Sequence, residues 1–128
     1  MPVHFKVILA VLVAFASAGC YSDQHYTDYI ASQRQTIVDS FPLHSTTRSR
    51  VHEKYGTPSV TYTKPTGGWE KHPEEAVQLF LSRAEKRSGN RIQMADRYWG
   101  LDGYSRCSRW LYFSQDRLVD ADWQLSGD

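Results

Sequence analysis

Cysteine is scarce in this chain, with Cys20 and Cys107 the only two among 128 residues. Two thiols cannot build a disulfide-dense scaffold or a four-cysteine zinc site. An excess of either charge is also missing. Fifteen Lys and Arg stand against fourteen Asp and Glu, a formal net charge of +1. That balance argues against a nucleic-acid binder that works by neutralising phosphates. The longest unbroken apolar run, Val7–Ala16, has ten residues, short of the roughly 18 that a membrane-spanning helix needs. There is no G-x-S-x-G, no P-loop, no dinucleotide fingerprint, no internal repeat and no low-complexity tract. What remains is 41% hydrophobic and 13% aromatic, enough for the packed core of one domain.

The start of the sequence reads as an address. Lys6 precedes the apolar run, and Ser17, Ala18, Gly19 and Cys20 follow it. Two cuts fit. Ala16-Ser17-Ala18 suits a secretory cleavage that frees Gly19, after which Cys20 and Cys107 could pair in an oxidising compartment. Ser17-Ala18-Gly19-Cys20 resembles a bacterial lipobox, with Ser17 where leucine is usual, and would make Cys20 the acylated N-terminus. Small residues and a cysteine directly after an apolar run favour the second cut. Residues 1–19 are then a signal peptide, 20–25 a lipidated tether and 26–128 a single domain. Several acyl chains on Cys20 hold a protein on its bilayer, where one chain holds it only marginally. Tyr21 follows the cysteine, in place of the aspartate that retains many lipoproteins in an inner membrane. This favours the outer membrane, facing the periplasm, if the source has two membranes.

Beyond the tether, Tyr26, Tyr29, Ile30, Ile37 and Val38 mark one stripe of a helix ending near Ser40, before Pro42. Ser45 or Thr46 can cap a short helix carrying Val51 and Tyr55, which Gly56 closes and Pro58 stops. Val60 and Tyr62 alternate with Ser59, Thr61 and Thr63 as a strand. A helix over 73–88 follows, with Glu74 and Glu75 in its first turn, Val77, Phe80, Leu81 and Ala84 on one face, and Arg83, Lys86 and Arg87 in its last turn. Ile92 and Met94 alternate as in a strand, and 98–104 reads as an aromatic loop. Residues 108–114 and 118–125 form a hairpin, with Ser114-Gln115-Asp116 as its loop. Trp110 and Tyr112 share one face of the first hairpin strand. On the second, Val119, Ala121, Trp123 and Leu125 oppose Asp120, Asp122 and Gln124.

Residues able to carry chemistry are few. His25, His44, His52 and His72 lack the spacing of a helical metal pair and read as exposed side chains, so no metal and no cofactor is expected. Cys107, beside an aromatic strand, reads as a small buried residue. Asp120 and Asp122 read as a solvated outer face. Tyr98, Trp99 and Tyr104 could stack on a sugar ring or plug the core, and Arg97 and Arg106 beside them could contact a protein partner. No enzyme is expected, because no catalytic constellation is legible.

Thr47, Val51, Gly56 and Pro58, with Trp110, Tyr112, Phe113, Leu118, Val119 and Trp123, resemble the small outer-membrane lipoproteins of the SmpA/OmlA (BamE-like) type. The resemblance spans residues 26–63 and 105–125. It implies an α+β fold of two N-terminal helices on a three-stranded antiparallel sheet. Residues 64–104, with the helix at 73–88, then form an insertion between the first strand and the C-terminal hairpin. It also implies a non-catalytic envelope lipoprotein that scaffolds or stabilises a membrane-associated assembly, with the bilayer and an envelope protein as partners. The alternative is a module that binds cell-wall glycan or a small ligand through loop 98–104.

Overall fold

The computed structural model describes residues 24–101, 103 and 106–125. The segment read as a signal peptide, and Cys20, lie outside the described residues. Tertiary contacts divide the chain after Ser32. In the first unit, residues 24–32 are helical, and the same helix, α1 (24–40), continues into the second. It takes in Gln24 and His25 from the segment read as a tether.

The second unit is α+β: α2 (Arg48–Tyr55), β1 (Val60–Thr63), a 3-10 turn (Trp69–Lys71), α3 (Glu75–Ser88), β2 (Met94–Trp99), β3 (Cys107–Ser114) and β4 (Arg117–Leu125). Its sheet is an antiparallel meander of four strands in the order β1-β2-β3-β4, not three. The additional strand, β2, lies inside the 64–104 segment read as an insertion and joins β1 to β3. Tyr98 and Trp99 belong to it and are not loop residues. Only two alternating apolar residues, Ile92 and Met94, announced β2. Its centre carries Asp96 and Arg97, which mask a strand pattern until tertiary partners neutralise them.

Register sorts the side chains. Tyr62, Ala95 and Tyr112 lie opposite one another, as do Val60, Arg97, Trp110 and Asp122, so all of these share one face. Helix α3 covers that face with Val77, Leu81 and Ala84. Trp69 completes this core, its indole N–H donating to Ile92 O at 2.7 Å. A bulge between Tyr112 and Phe113 puts two β4 residues against one of β3, and Val119 joins the α3-side core with Trp110 and Tyr112. Strict alternation had set Val119 opposite Asp120, and the bulge cancels that step.

Helix α2 lies on the opposite face. Thr47, not Ser45 or Thr46, caps it, accepting from Arg50 N at 3.2 Å. Gly56 ends it with φ 83° and ψ −159°, a conformation that side chains with a Cβ avoid, and its N–H donates to His52 O. The preceding segment runs along the β4 edge. His44 N donates to Leu118 O at 2.7 Å, and Leu118 N donates to Thr46 O at 2.9 Å. This half of the edge is therefore closed to a foreign strand.

Candidate functional site

Three polar constructions stand out. The first centres on Asp96, in the middle of β2 and fully buried. Its Oδ2 accepts from Arg48 Nε at 2.8 Å, and its Oδ1 from Arg48 Nη2 at 2.9 Å. Thr61 Oγ1 donates to Oδ1 at 2.7 Å, and His52 Nε2 lies 2.8 Å from Oδ2. Burial pushes the carboxyl upward, but the hydrogen bonds from Arg48, His52 and Thr61 outweigh it and hold Asp96 below its ordinary range. The ion pair in turn raises Arg48. An ionised carboxylate only accepts, so His52 Nε2 carries the proton. Arg48 and His52 are four residues apart on α2, beside Val51, the one buried residue of that helix. The hub ties a weakly apolar helix to the sheet.

The second construction corrects the reading of Asp120 and Asp122. Neither is a solvated outer residue, and both are buried. Asp120 Oδ1 accepts from Arg34 of α1 at 2.6 Å, and its Oδ2 from Arg87 of α3 at 2.7 Å. Asp122 accepts from Tyr112 Oη at 2.7 Å and lies 3.1 Å from Arg87 Nη2. Burial, together with the neighbouring Asp122 carboxylate, pushes the Tyr112 phenol well above its ordinary value. The sequence could not reveal this, because the polar face of β4 is the one α3 covers with its basic last turn.

The third construction is a stack of rings and cations on the α3 face. Trp110 lies between Phe80 and Tyr62, with ring centroids at 4.7 and 5.5 Å. The Arg97 guanidinium sits 4.0 Å from the Trp99 ring centroid and 4.3 Å from that of Trp110, and it donates to Gln124 Oε1 at 2.9 Å. Trp99 and Arg97 are half-buried and reach the surface.

Of the residues singled out by sequence, Arg97 and Trp99 are thus brought together. Arg106 is exposed, and Tyr104 lies outside the described residues. Tyr98 is withdrawn from any such surface. It is 2% exposed, points to the α2 face and donates to Gly56 O at 2.9 Å. Burial lifts its phenol to about 12. The turn of pleat between positions 98 and 99 separates the two rings.

Comparison with protein-family models, curated proteins and solved structures returns no match. Function must be argued from the residues themselves. Cys107 is a buried free thiol. Among the described residues, no group of three His, Cys, Asp or Glu is arranged to hold a metal ion. No helix among them is long and apolar enough to cross a membrane. His52 is drawn into an ionic site with Asp96. The signal for it was a pair of polar residues, Arg48 and His52, on the same face of α2 as Val51 and Tyr55. A shallow pocket of about 430 Å³ lies beside the hub, lined by Arg48, Gln93, Met94, Phe113, Gln115 and Asp116.

Proposed function

We propose that this chain is a non-catalytic cell-envelope lipoprotein, anchored through acylated Cys20, whose domain scaffolds or stabilises a membrane-associated protein assembly. This reading keeps the resemblance to the SmpA/OmlA type and places the protein on the outer membrane, facing the periplasm, where the source has two membranes. The apolar run ending at Ser17-Ala18-Gly19-Cys20 supports the anchored address.

The observation that carries the scaffold role is the use made of buried charge. Asp96, Asp120 and Asp122 each bind an arginine supplied by a helix. Such groups fix helices on a sheet and present a rigid surface to a partner. Arg97 and Trp99, with exposed Arg106, form the contact surface in this reading, since Arg and Trp are enriched where proteins bind one another. No cofactor or nucleic acid is involved.

Cys20→Ala is expected to move the chain from the membrane to the soluble fraction, with native material showing acylated Cys20 by intact mass. A variant that remains fully membrane-bound overturns the address. Cross-linking capture from intact cells is expected to retain a defined envelope protein that Trp99→Ala and Arg97→Ala lose.

The second reading is glycan or small-ligand binding, favoured by the Arg97–Trp99 stack, because a flat ring edged by a polar fork suits a sugar. Muropeptides would then shift tryptophan fluorescence in the parent and not in Trp99→Ala.

A further inference from the structure

Helix α3 has two working faces, and the core explains only one. Val77, Leu81 and Ala84 are buried against the sheet. Glu75, Ala76, Leu79, Ser82 and Arg83 form an exposed ridge, in which Leu79 is 61% exposed. No other large apolar side chain among the described residues shows so high a value. A depression of about 320 Å³, lined by Glu70, Glu75, Gln78, Leu79 and Ser82, lies beside it.

The ridge has a symmetry of its own. Glu75 stands four residues before Leu79 and Arg83 four residues after it. All three lie in one i±4 row, the kind of row that packs helix on helix. A two-fold axis through Leu79 sets Glu75 of one copy against Arg83 of the other, twice. Ala76 and Ser82, three residues to either side of Leu79, are small enough to let the helices approach. The Arg83 side chain is 49% exposed; its guanidinium lies over Phe80 at 4.6 Å and reaches Asp122 only at 3.6 Å. It is held on the ridge and still accessible.

We propose that α3 is a self-recognition surface at which a second copy of this chain docks antiparallel, Leu79 upon Leu79, with reciprocal Glu75–Arg83 ion pairs. Charge complementarity favours this occupant, because Glu75 in the first turn of α3 and Arg83 eight residues on match the same row of a second copy running the opposite way. The surface is isologous, so it closes at two copies. One helix pair buries less than the roughly 1,200 Å² of a standard stable interface, so the dimer dissociates on dilution. The inference goes beyond the scaffold role and stands without it.

The test uses the full chain in the cells that make it. Leu79→Cys, on the axis, is expected to give a disulfide-linked dimer on mild oxidation. Glu53→Cys, equally exposed but on α2, is expected to give none. Adding Glu75→Arg or Arg83→Glu to Leu79→Cys is expected to abolish the cross-link. It returns when both reversals are combined in one chain, or when the two single reversals are co-produced, in which case only mixed dimers form. Equal trapping at positions 79 and 53, or single reversals without effect, overturns the proposal. Trapping of a different polypeptide at position 79 assigns the ridge to another protein and likewise overturns it. Leu79 and Glu75 are exposed, so their substitutions leave the fold intact, and because Arg83 also reaches Asp122, return of the cross-link in the double reversal separates loss of docking from loss of fold.

Discussion

The two faces of the sheet are held by different forces. On the α3 face, Trp69, Trp110, Tyr112, Val77 and Leu81 are buried together, and the buried carboxylates lie on the β4 side, at Asp120 and Asp122. On the α2 face, a carboxylate sits at the centre of the sheet, and the helix above it buries Val51 alone. Helix α3 has enough apolar surface to stay down by burial. Helix α2 does not, and two of its polar side chains reach a carboxylate that the sheet has already buried. Where the apolar stripe of a helix is one residue wide, a fully bonded ion pair can replace it, at the risk that losing one partner strands the other. The edges differ in the same spirit. The 44–48 segment and the arginines of α1 and α3 occupy β4, with Arg34 and Arg87 both donating to Ala121 O, whereas β1 is a short outer strand of four residues.

The contrast can be broken most severely from the α3 side. Trp110→Ala removes a fully buried ring stacked with Phe80, Tyr62 and the Arg97 guanidinium. It is expected to destabilise the domain by about 3–5 kcal/mol in urea unfolding. Asp96→Asn tests the α2 side and is expected to cost about 3 kcal/mol, because Arg48 loses its buried counter-charge.

The same substitution sharpens the comparison through pH. Unfolded, Asp96 titrates near 3.9, and in the folded chain it lies lower. Its contribution is present above about pH 4 and is lost as the pH falls through the folded value. The parent should therefore lose stability below pH 4 more steeply than Asp96→Asn. Parallel acid unfolding curves would show that the hub does not hold α2.

The smallest effect concerns the turn of the β3–β4 hairpin, where Gln115 and Asp116 adopt φ of 49° and 68°. Neither is a glycine. The conformation is held by Gln115 N donating to Gln93 Oε1 at 2.9 Å and Arg48 N donating to Asp116 O at 3.2 Å. Asp116→Gly is expected to stabilise the fold by about 0.5 kcal/mol, read as a small rise in the urea midpoint.

Legibility varied along the chain for physical reasons. Helix 73–88 and the C-terminal hairpin were readable because their apolar residues recur at the period of the element that carries them, and they appear as α3 at Glu75–Ser88 and as β3–β4. Strand β2 was half-hidden, since its centre is Asp96-Arg97, residues that a strand accepts only when something across the sheet binds them. The hub escaped notice for the same reason: Arg48 and Asp96 are 48 positions apart, and no local pattern connects them. Asp120 and Asp122 alternated as expected, but the face they occupy is covered.

Sequence by itself determined the local grammar: where Gly56 and Pro58 end a helix, which residues alternate along β3, and the apolar run that leads to Cys20. These follow from backbone geometry and short-range periodicity, which need no distant partner. Only the tertiary structure decided which carboxylates are buried, that Val119 crosses to the α3 side at a bulge, and that Tyr98 and Trp99 go to opposite faces. Burial of a charge depends on whether a counter-charge arrives from elsewhere in the chain, and that meeting is a property of the folded arrangement.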